Sequence, residues 1–260
     1  MKVSALWRYP IKSCRGTQHD SLEVTKEGFL GDRRYQWVLE NGRFVTQREF
    51  PLMSQLAAQY KNDELECLIN DRTFQIPDTM FGDQREVSIW GDKVLANLYQ
   101  GELNAEVSEF LGFQVQLVKL PQQGRKISDP VADGHVSFAD GLPYLLTNQQ
   151  SLNDLNARLA KEVSMLNFRP NIVVEAKTAF EEDGWQELQI GEVRFKNVKP
   201  CKRCVLTTVD PDTGIKSNDA EPLKTLAAYR QPEPGNILFG INLVSKGEGV
   251  IKVGDTVKLL

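Results

Sequence analysis

The chain has few of the residues that build histidine-rich metal centres or disulfide-bonded folds. Its 260 residues include two histidines and four cysteines. Metal sites made largely of histidine are thereby almost excluded, and four cysteines in a chain of this length do not form a disulfide framework. Sparse cysteine of this kind is typical of a reducing compartment, so we expect a cytoplasmic protein.

Two further absences narrow the class of protein. The sequence contains no apolar run of about 18 residues, so we expect no membrane span, and its N-terminus lacks the apolar segment of a secretory signal. The chain also lacks a basic excess, since 31 Lys and Arg stand against 35 Asp and Glu, a net charge of −4. Domains that bind nucleic acid are normally basic, so we expect no nucleic-acid partner.

The first ninety residues contain a succession of short, β-rich segments. Turn residues separate them, and Asn41-Gly42 and Asn70-Asp71 are hairpin signals. Many short strands with close turns predict a small barrel or sandwich. The predicted strands are Met1–Tyr9, Asp20–Val24, Tyr35–Leu39, Phe44–Thr46, Ala57–Lys61, Glu64–Ile69, Thr73–Ile76 and Glu86–Ile89.

The remaining residues read as α+β around a mainly β core. Helices are predicted over Leu98–Leu111, Asn148–Lys161 and Leu223–Tyr229, the first two from the helical spacing of their apolar residues. Asn148 is a suitable N-cap for the second of them. Gln122–Gly134 is polar and reads as a loop. The predicted strands are Phe113–Lys119, Ile172–Val174, Trp185–Ile190, Val193–Val198, Val205–Val209, Phe239–Val244 and Thr256–Leu260. We place the domain boundary between Ile89 and Asp92, which gives domains 1–90 and 91–260.

The chemistry centres on the segment PCKRCVLTTVDPDTG, from Pro200 to Gly214. Lys202 and Arg203 lie between Cys201 and Cys204, and neighbouring cations favour the thiolate, which is both nucleophile and metal ligand. A four-cysteine zinc site would also need the isolated Cys14 and Cys67, and a redox pair normally opens a helix. A single thiolate bound to a soft transition metal is the remaining alternative.

Three basic segments accompany the cysteines. Lys12 and Ser13 follow a strand stopped by Pro10, and a turn with a cation, a hydroxyl and free N–H groups suits a phosphate. Arg33 starts another strand, and Arg169 belongs to a polar loop that leads into a buried strand. Each has a plain structural interpretation as well: a solvated lysine, an ion pair with Asp32, and an ordinary strand entry.

Eight blocks in order carry a resemblance to a known family. They are YPIKSCRG, GDRRYQWV, TNQQSLNDLN, NFRPNIVVE, EEDGWQELQIG, PCKRCVLTTVDPDTG, PLKTLAAYR and ILFGINL. They span nearly the whole chain and resemble the MOSC family of molybdenum-cofactor proteins, with its N-terminal β-barrel domain. Within the family the chain is similar to the mitochondrial amidoxime-reducing component and to YcbX. The resemblance implies a MOSC-associated β-barrel domain over 1–90 and a MOSC domain with peripheral helices over 91–260.

The resemblance also implies the site residues. The second cysteine of the motif, Cys204, would ligate molybdenum, and the molybdopterin form of the molybdenum cofactor would be the cofactor. Lys202 and Arg203 would offer backbone N–H groups beside it. The residues implied as cofactor contacts are Lys12, Ser13, Arg33, Arg169, Asn171 and Asn242.

The implied function is an oxidoreductase that reduces small N-hydroxylated compounds. The chain has no cysteines beyond Cys204 for the iron–sulfur cluster of YcbX, so we expect a separate ferredoxin- or flavoprotein-type electron donor. We also expect no anchor segment of the kind that the mitochondrial proteins carry. Their further cysteine, shortly after R-P-N, corresponds to about Lys177 here. The alternative function is a sulfur carrier that holds a persulfide on Cys204. A structural zinc protein is the third possibility.

Overall fold

The computed structural model describes residues 1–121 and 123–260, and the described chain is built mainly of strands. The strands are β1 (Lys2–Arg8), β2 (Thr17–His19), β3 (Ser21–Thr25), β4 (Gly28–Phe29), β5 (Tyr35–Val38), β6 (Ala57–Lys61), β7 (Glu64–Ile69), β8 (Arg72–Ile76), β9 (Phe81–Ile89), β10 (Asp92–Tyr99), β11 (Gln116–Lys119), β12 (Arg125–Lys126), β13 (His135–Val136), β14 (Tyr144–Asn148), β15 (Ile172–Glu175), β16 (Glu187–Ile190), β17 (Val193–Lys202), β18 (Leu238–Ser245), β19 (Gly249–Lys252) and β20 (Val257–Leu259). The α-helices are α1 (Leu103–Leu111), α2 (Gln149–Asn156) and α3 (Leu223–Tyr229). Short 3-10 helices cover Pro51–Gln55, Asp78–Met80, Met165–Phe168, Glu181–Gly184 and Val205–Thr208.

The largest sheet joins the two ends of the chain. Its strand order is β2-β1-β15-β14-β18-β17-β16-β20, antiparallel except for the parallel pair β14 and β15. Smaller sheets have the orders β5-β11-β10-β9, β19-β3-β4, β6-β7-β8 and β12-β13. The large sheet packs one apolar core, and β5 to β8 with α1 pack another. Burial of apolar surface in these two cores holds the polar loops between them in place.

The predicted mainly β class with α+β elements is confirmed. Each hydrogen-bonded sheet in the described ranges keeps two edges, so the strand pairing does not close into a barrel there. The division at 1–90 and 91–260 stays a prediction. Four strand pairs cross it, because β1 pairs with β15, β3 with β19, β5 with β11, and β9 with β10.

Most predicted elements are found with shifted ends. β6, β7 and α3 have the predicted bounds, and Asn148 caps α2 by accepting a hydrogen bond from the Gln150 N–H at 3.0 Å. Gly112 ends α1 with φ of +80°, a conformation that favours glycine. The predicted loop over 122–134 includes residue 122, which lies outside the described residues, and the short strand β12.

Four predicted elements are wrong in type or extent. The helix predicted to reach Lys161 ends at Asn156. The helix predicted from Leu98 begins only at Leu103, because Leu98 pairs with Val118 in the sheet. Phe44–Thr46 makes one isolated bridge rather than a strand. The strand predicted over Val205–Val209 is a 3-10 helix, in which the Thr207 and Thr208 hydroxyls donate to backbone carbonyls three residues earlier. Such local bonds compete with a sheet ladder and override the β-branched pattern.

No helix in the described part of the chain combines the length and the apolar character that crossing a membrane requires.

Candidate functional site

One cavity of about 370 Å³ collects the residues that the sequence singled out. It lies where the loops after β1, β4, β5, β13 and β17 meet the segment before β15 and the middle of β18. All nine predicted site residues line it: Lys12, Ser13, Arg33, Arg169, Asn171, Lys202, Arg203, Cys204 and Asn242. Residues from the first 33 and from the last 100 positions thus share one surface.

The cavity is strongly electropositive. Seven basic side chains and one carboxylate, that of Asp140, line it among the described residues; the bases are Lys12, Arg33, Arg48, Arg169, Lys199, Lys202 and Arg203. The whole chain has a net charge of −4. A concentration of cations against the sign of the protein creates a local field that attracts an anion.

Unusual backbone conformations converge on the same cavity. Ser13, Arg33 and Arg169 have φ angles of +64°, +47° and +54°, in the left-handed region that non-glycine residues rarely adopt. Backbone hydrogen bonds hold two of them, from Arg33 N to Tyr9 O at 2.7 Å and from Arg169 N to Leu166 O at 3.1 Å. Strain of this kind persists where the surroundings over-determine a geometry, and it is concentrated at functional sites.

Lys12 is buried, not solvated. Its Nζ donates to Phe138 O at 2.9 Å and forms an ion pair with Asp140. Burial lowers the pKa of Lys12, and Asp140 opposes that effect. Desolvation would raise the pKa of Asp140, but Lys12 and Arg48 outweigh it and hold that pKa below its usual range. The carboxyl of Asp140 is therefore ionised at neutral pH and gives Lys12 an anionic partner.

The low pKa of Asp140 predicts how stability depends on pH. A carboxyl with a lowered folded-state pKa stabilises the fold above its ordinary pKa of about 4, and the contribution is lost as the pH falls through the folded-state value. We expect Asp140→Asn to lower the melting temperature by a constant amount from about pH 8 to 5, and by less below about pH 4. Thermal unfolding of both proteins measures this. A difference that widens with acidification would contradict the ion pair.

Arg33 and Arg169 lie side by side but have different partners. The guanidinium of Arg33 donates to Asp32 Oδ2 at 2.6 Å and to Asn171 Oδ1 at 2.9 Å. Arg169 forms no salt bridge within the described residues, and its Nη2 has no hydrogen-bond partner there. Both guanidinium carbons lie over the Tyr9 ring, 4.4 and 4.3 Å from its centre. Burial lowers the pKa of Arg169 and raises that of Tyr9 to about 12.

The cysteine segment lies at the end of β17. The pairing of β17 with β18 shifts register between Pro200 and Lys202, an irregularity typical of strands next to functional sites. Cys204 then precedes the 3-10 helix, with its carbonyl accepting from the Thr207 N–H at 3.0 Å. Cys204 is only partly buried and lines the cavity.

The two cysteines of the motif have different surroundings. Arg203 Nη1 lies 2.9 Å from Cys201 Sγ, and its Nη2 donates to Phe168 O at 2.6 Å. No described residue hydrogen-bonds to the sulfur of Cys204. The backbone N–H of Arg203 donates to Ile237 O at 2.7 Å, so the prediction that it is free for a ligand is wrong. The Arg203 side chain, which lines the cavity, remains as its contribution.

The other two cysteines do not belong to this site. Cys14 and Cys67 are fully buried in the apolar core of β5 to β8 and α1. Burial raises the pKa of both thiols, that of Cys14 to about 12. Across 1–121 and 123–260 no group of three or more His, Cys, Asp and Glu residues is arranged to hold a metal ion. The four-cysteine zinc alternative therefore has no structural basis in the described chain.

Sequence reasoning missed several lining residues. Arg48 and Asp140 form an ion pair of 3.3 Å at the rim, and Phe168 stacks on Phe239 with ring centres 3.8 Å apart. Lys199 lies directly before the cysteine motif. The Asp-Gly turn at 140–141 is a sequence signal that could have indicated a loop at the site, whereas nothing local in the sequence distinguishes Arg48 from other surface arginines.

A larger open cleft of about 1080 Å³ contains none of the predicted residues. Its lining has four Lys and Arg side chains against five Asp and Glu side chains, so it carries no excess of positive charge. Volume alone would favour this cleft, but the smaller cavity holds the accessible thiol and the unbalanced positive charge.

Comparison with known proteins defines the class. Residues 133–258 match the MOSC domain, and residues 1–114 match the MOSC N-terminal beta barrel domain. The chain is a MOSC-family protein, as the sequence blocks indicated.

Individual relatives define the family within this class. The chain is 36% identical to mitochondrial amidoxime-reducing component 1 of Homo sapiens, over 99% of this chain and 82% of that protein. It is 35% identical to mitochondrial amidoxime reducing component 2 of Bos taurus, over 98% and 82%. The solved YuaD protein of Bacillus subtilis aligns with a TM-score of 0.41 at 10% identity, over 98% of this chain and 93% of that one. The chain belongs to the family of amidoxime-reducing components, and the prediction that it is an enzyme is confirmed by that membership.

Proposed function

We propose that this chain binds the molybdenum cofactor through Cys204 and reduces N-hydroxylated small molecules. The observation that carries the proposal is the cavity itself. It joins an accessible thiol to seven basic side chains, and Arg169, Lys202 and Arg203 form no salt bridge among the residues described. The other four bases share three carboxylates, those of Asp140, Asp32 and Asp129. A soft thiolate suits a transition metal, and the cations suit an anionic cofactor.

The residues fit the cofactor chemically. Molybdopterin carries a phosphate, and Arg169 offers a buried guanidinium with an unpartnered Nη2. A buried donor without an acceptor is costly, so an anionic ligand would relieve that cost. Lys12, Ser13 and Lys202 line the same cavity and would add charge or a hydroxyl donor.

Asn171 and Asn242 would act mainly as supports. Asn171 accepts from Arg33 through Oδ1 and donates to Trp7 O through Nδ2 at 3.3 Å, so it orients the Arg33 guanidinium. Asn242 lies on β18, opposite Leu145 and Lys199 in the sheet. Residues fixed in this way hold binding groups in place before a ligand arrives.

The reaction must balance electrons and protons. Reduction of a hydroxylamine or amidoxime breaks the N–O bond, consumes two electrons and two protons, and releases the oxygen as water. The bound cofactor would supply the two-electron redox chemistry. The chain would bind and orient the substrate, and we propose a separate ferredoxin- or flavoprotein-type protein as the electron donor.

Metal and cofactor analysis tests the proposal. Protein made in a cofactor-competent host should contain about one molybdenum and one pterin per chain, and with a reduced dye as electron source it should convert an amidoxime to the amidine. Correctly folded protein without molybdenum, pterin or activity would contradict the proposal. A mass increase of one sulfur atom on the Cys204 peptide would instead support the sulfur-carrier alternative.

A further inference from the structure

Trp90 has a backbone conformation that its residue type does not favour. It begins the two-residue turn between β9 and β10, where Ile89 pairs with Asp92, and its φ is +53°. A bulky aromatic residue in the left-handed region is an outlier. Such turns normally carry Gly, Asn or Asp at these positions.

Two other tight hairpins of the same chain carry the residues that the rule expects. The turn between β6 and β7 is Asn62-Asp63, and the turn between β7 and β8 is Asn70-Asp71, all with φ between +48° and +63°. Trp90 is therefore the exception among these three hairpins. An observed outlier of this kind points to a role for the side chain.

The side chain of Trp90 reaches the rim of the cavity. Its Nε1 donates to Asp140 Oδ1 at 3.2 Å, and the guanidinium carbon of Arg48 lies 4.2 Å from the indole centre. Both contacted residues line the cavity. Phe44 packs edge-on, with ring centres 4.9 Å apart and an interplanar angle of 69°. Trp90 is 44% exposed, so much of this anchored ring remains open.

We infer that Trp90 is a substrate-positioning residue, an aromatic platform at the cavity mouth that favours flat, aromatic N-hydroxylated compounds over aliphatic ones. Arg48 and Phe44 fix the ring, and Asp140 fixes its edge, so little rotamer freedom is lost when a flat group stacks on it. The inference rests on the proposed function, because it concerns the substrate of that reaction.

Trp90→Asn is the informative substitution, since asparagine suits the turn. The folded protein should be at least as thermostable as wild type. With an aromatic amidoxime its KM should rise about two- to tenfold, the effect of losing an aromatic stacking pair. With an aliphatic amidoxime KM should stay within about twofold, and kcat should change little for either. Trp90→Phe, which keeps a ring, should recover most of the aromatic preference.

A matched control is Leu95→Asn. Leu95 is 56% exposed on β10 of the same hairpin, away from the cavity lining, and its replacement should not alter either KM. An unchanged aromatic preference in Trp90→Asn would overturn the inference. So would a clear loss of thermostability, because it would assign Trp90 a structural role.

A binding measurement separates this inference from the proposed function. Calorimetric titration of the cofactor-loaded protein with an aromatic and an aliphatic amidine, the products of the reaction, needs no turnover. Weaker binding of only the aromatic amidine to Trp90→Asn supports the platform. Wild-type protein that binds both amidines equally would refute it, whereas absent turnover alone would count against the proposed reaction.

Discussion

Cys204→Ser should abolish reduction of N-hydroxylated substrates, whereas Cys201→Ser should retain it. Replacing a residue that merely orients a metal ligand costs about 10- to 100-fold in metal affinity or activity, so loss of the ligand itself should exceed about 100-fold. The asymmetry follows from the structure. Both cysteines line the cavity, but Arg203 lies against the sulfur of Cys201, while that of Cys204 has no hydrogen-bond partner in the described chain.

Metal content and turnover, measured together, check this result. Cys204→Ser should keep the wild-type melting behaviour of the cofactor-free protein, because the change is isosteric and the residue is only partly buried. Cys201→Ser is the matched control on the same strand end. Equal loss of molybdenum in both variants would make the two sulfurs equivalent. Retained molybdenum in Cys204→Ser would refute the ligand assignment.

Secondary structure could be predicted from the sequence where the local residue pattern and the tertiary environment favour the same element. The β6–β7 hairpin and helix α3 have the predicted bounds because their apolar spacing matches the surface they bury. The conformation of the segment after Cys204 could not be predicted in this way. Val205–Thr208 has the composition of a strand, but Asn167 Nδ2 donates to the carbonyls of Thr207 and Val209, at 3.0 and 3.2 Å, and Asn167 lies some forty positions away. Contacts at that separation leave no local signal.

The sequence motifs predicted most of the cavity-lining residues, but not the residues that contact them from distant segments. The segments around Lys12, Arg33 and Cys204 each combine cations with turn or sulfur chemistry, and all three line the cavity. The strained φ angles and the contacts of Arg48, Asp140 and Trp90 arise only when distant segments meet. Functional sites are where local rules are broken, so sequence reasoning is weakest at the residues that complete them.

Arg33→Met should destabilise the cofactor-free protein strongly, whereas Arg169→Met should not. Arg33 is paired with Asp32, whose side chain is fully buried, and the pair has little contact with water. Removing one partner of a buried pair costs about 3–5 kcal/mol, since the other charge is left uncompensated. For a chain of this size about 2–4 °C is lost per kcal/mol, so the melting temperature should fall by about 6–20 °C.

Arg169 is the matched arginine with the opposite expectation. It shares the left-handed backbone and the stacking on Tyr9, but it has no carboxylate partner among the described residues. Replacing an unpaired, poorly hydrated cation by an apolar side chain should leave the unfolding free energy within about 1 kcal/mol of wild type, or raise it. Inorganic phosphate should raise the melting temperature of wild type by binding the folded state, and that gain should shrink in Arg169→Met.

A double substitution separates the ion pair from the site. Asp32 also accepts a hydrogen bond from the Tyr9 N–H at 2.8 Å, which asparagine can accept equally, so Asp32→Asn with Arg33→Met should recover much of the stability lost in Arg33→Met alone. Thermal and denaturant unfolding of the four proteins completes the cycle. If both arginine variants were destabilised equally, Arg169 would be a structural residue like Arg33. A stable Arg169→Met that has lost its response to phosphate would show that this arginine is retained for an anion at the expense of the empty fold.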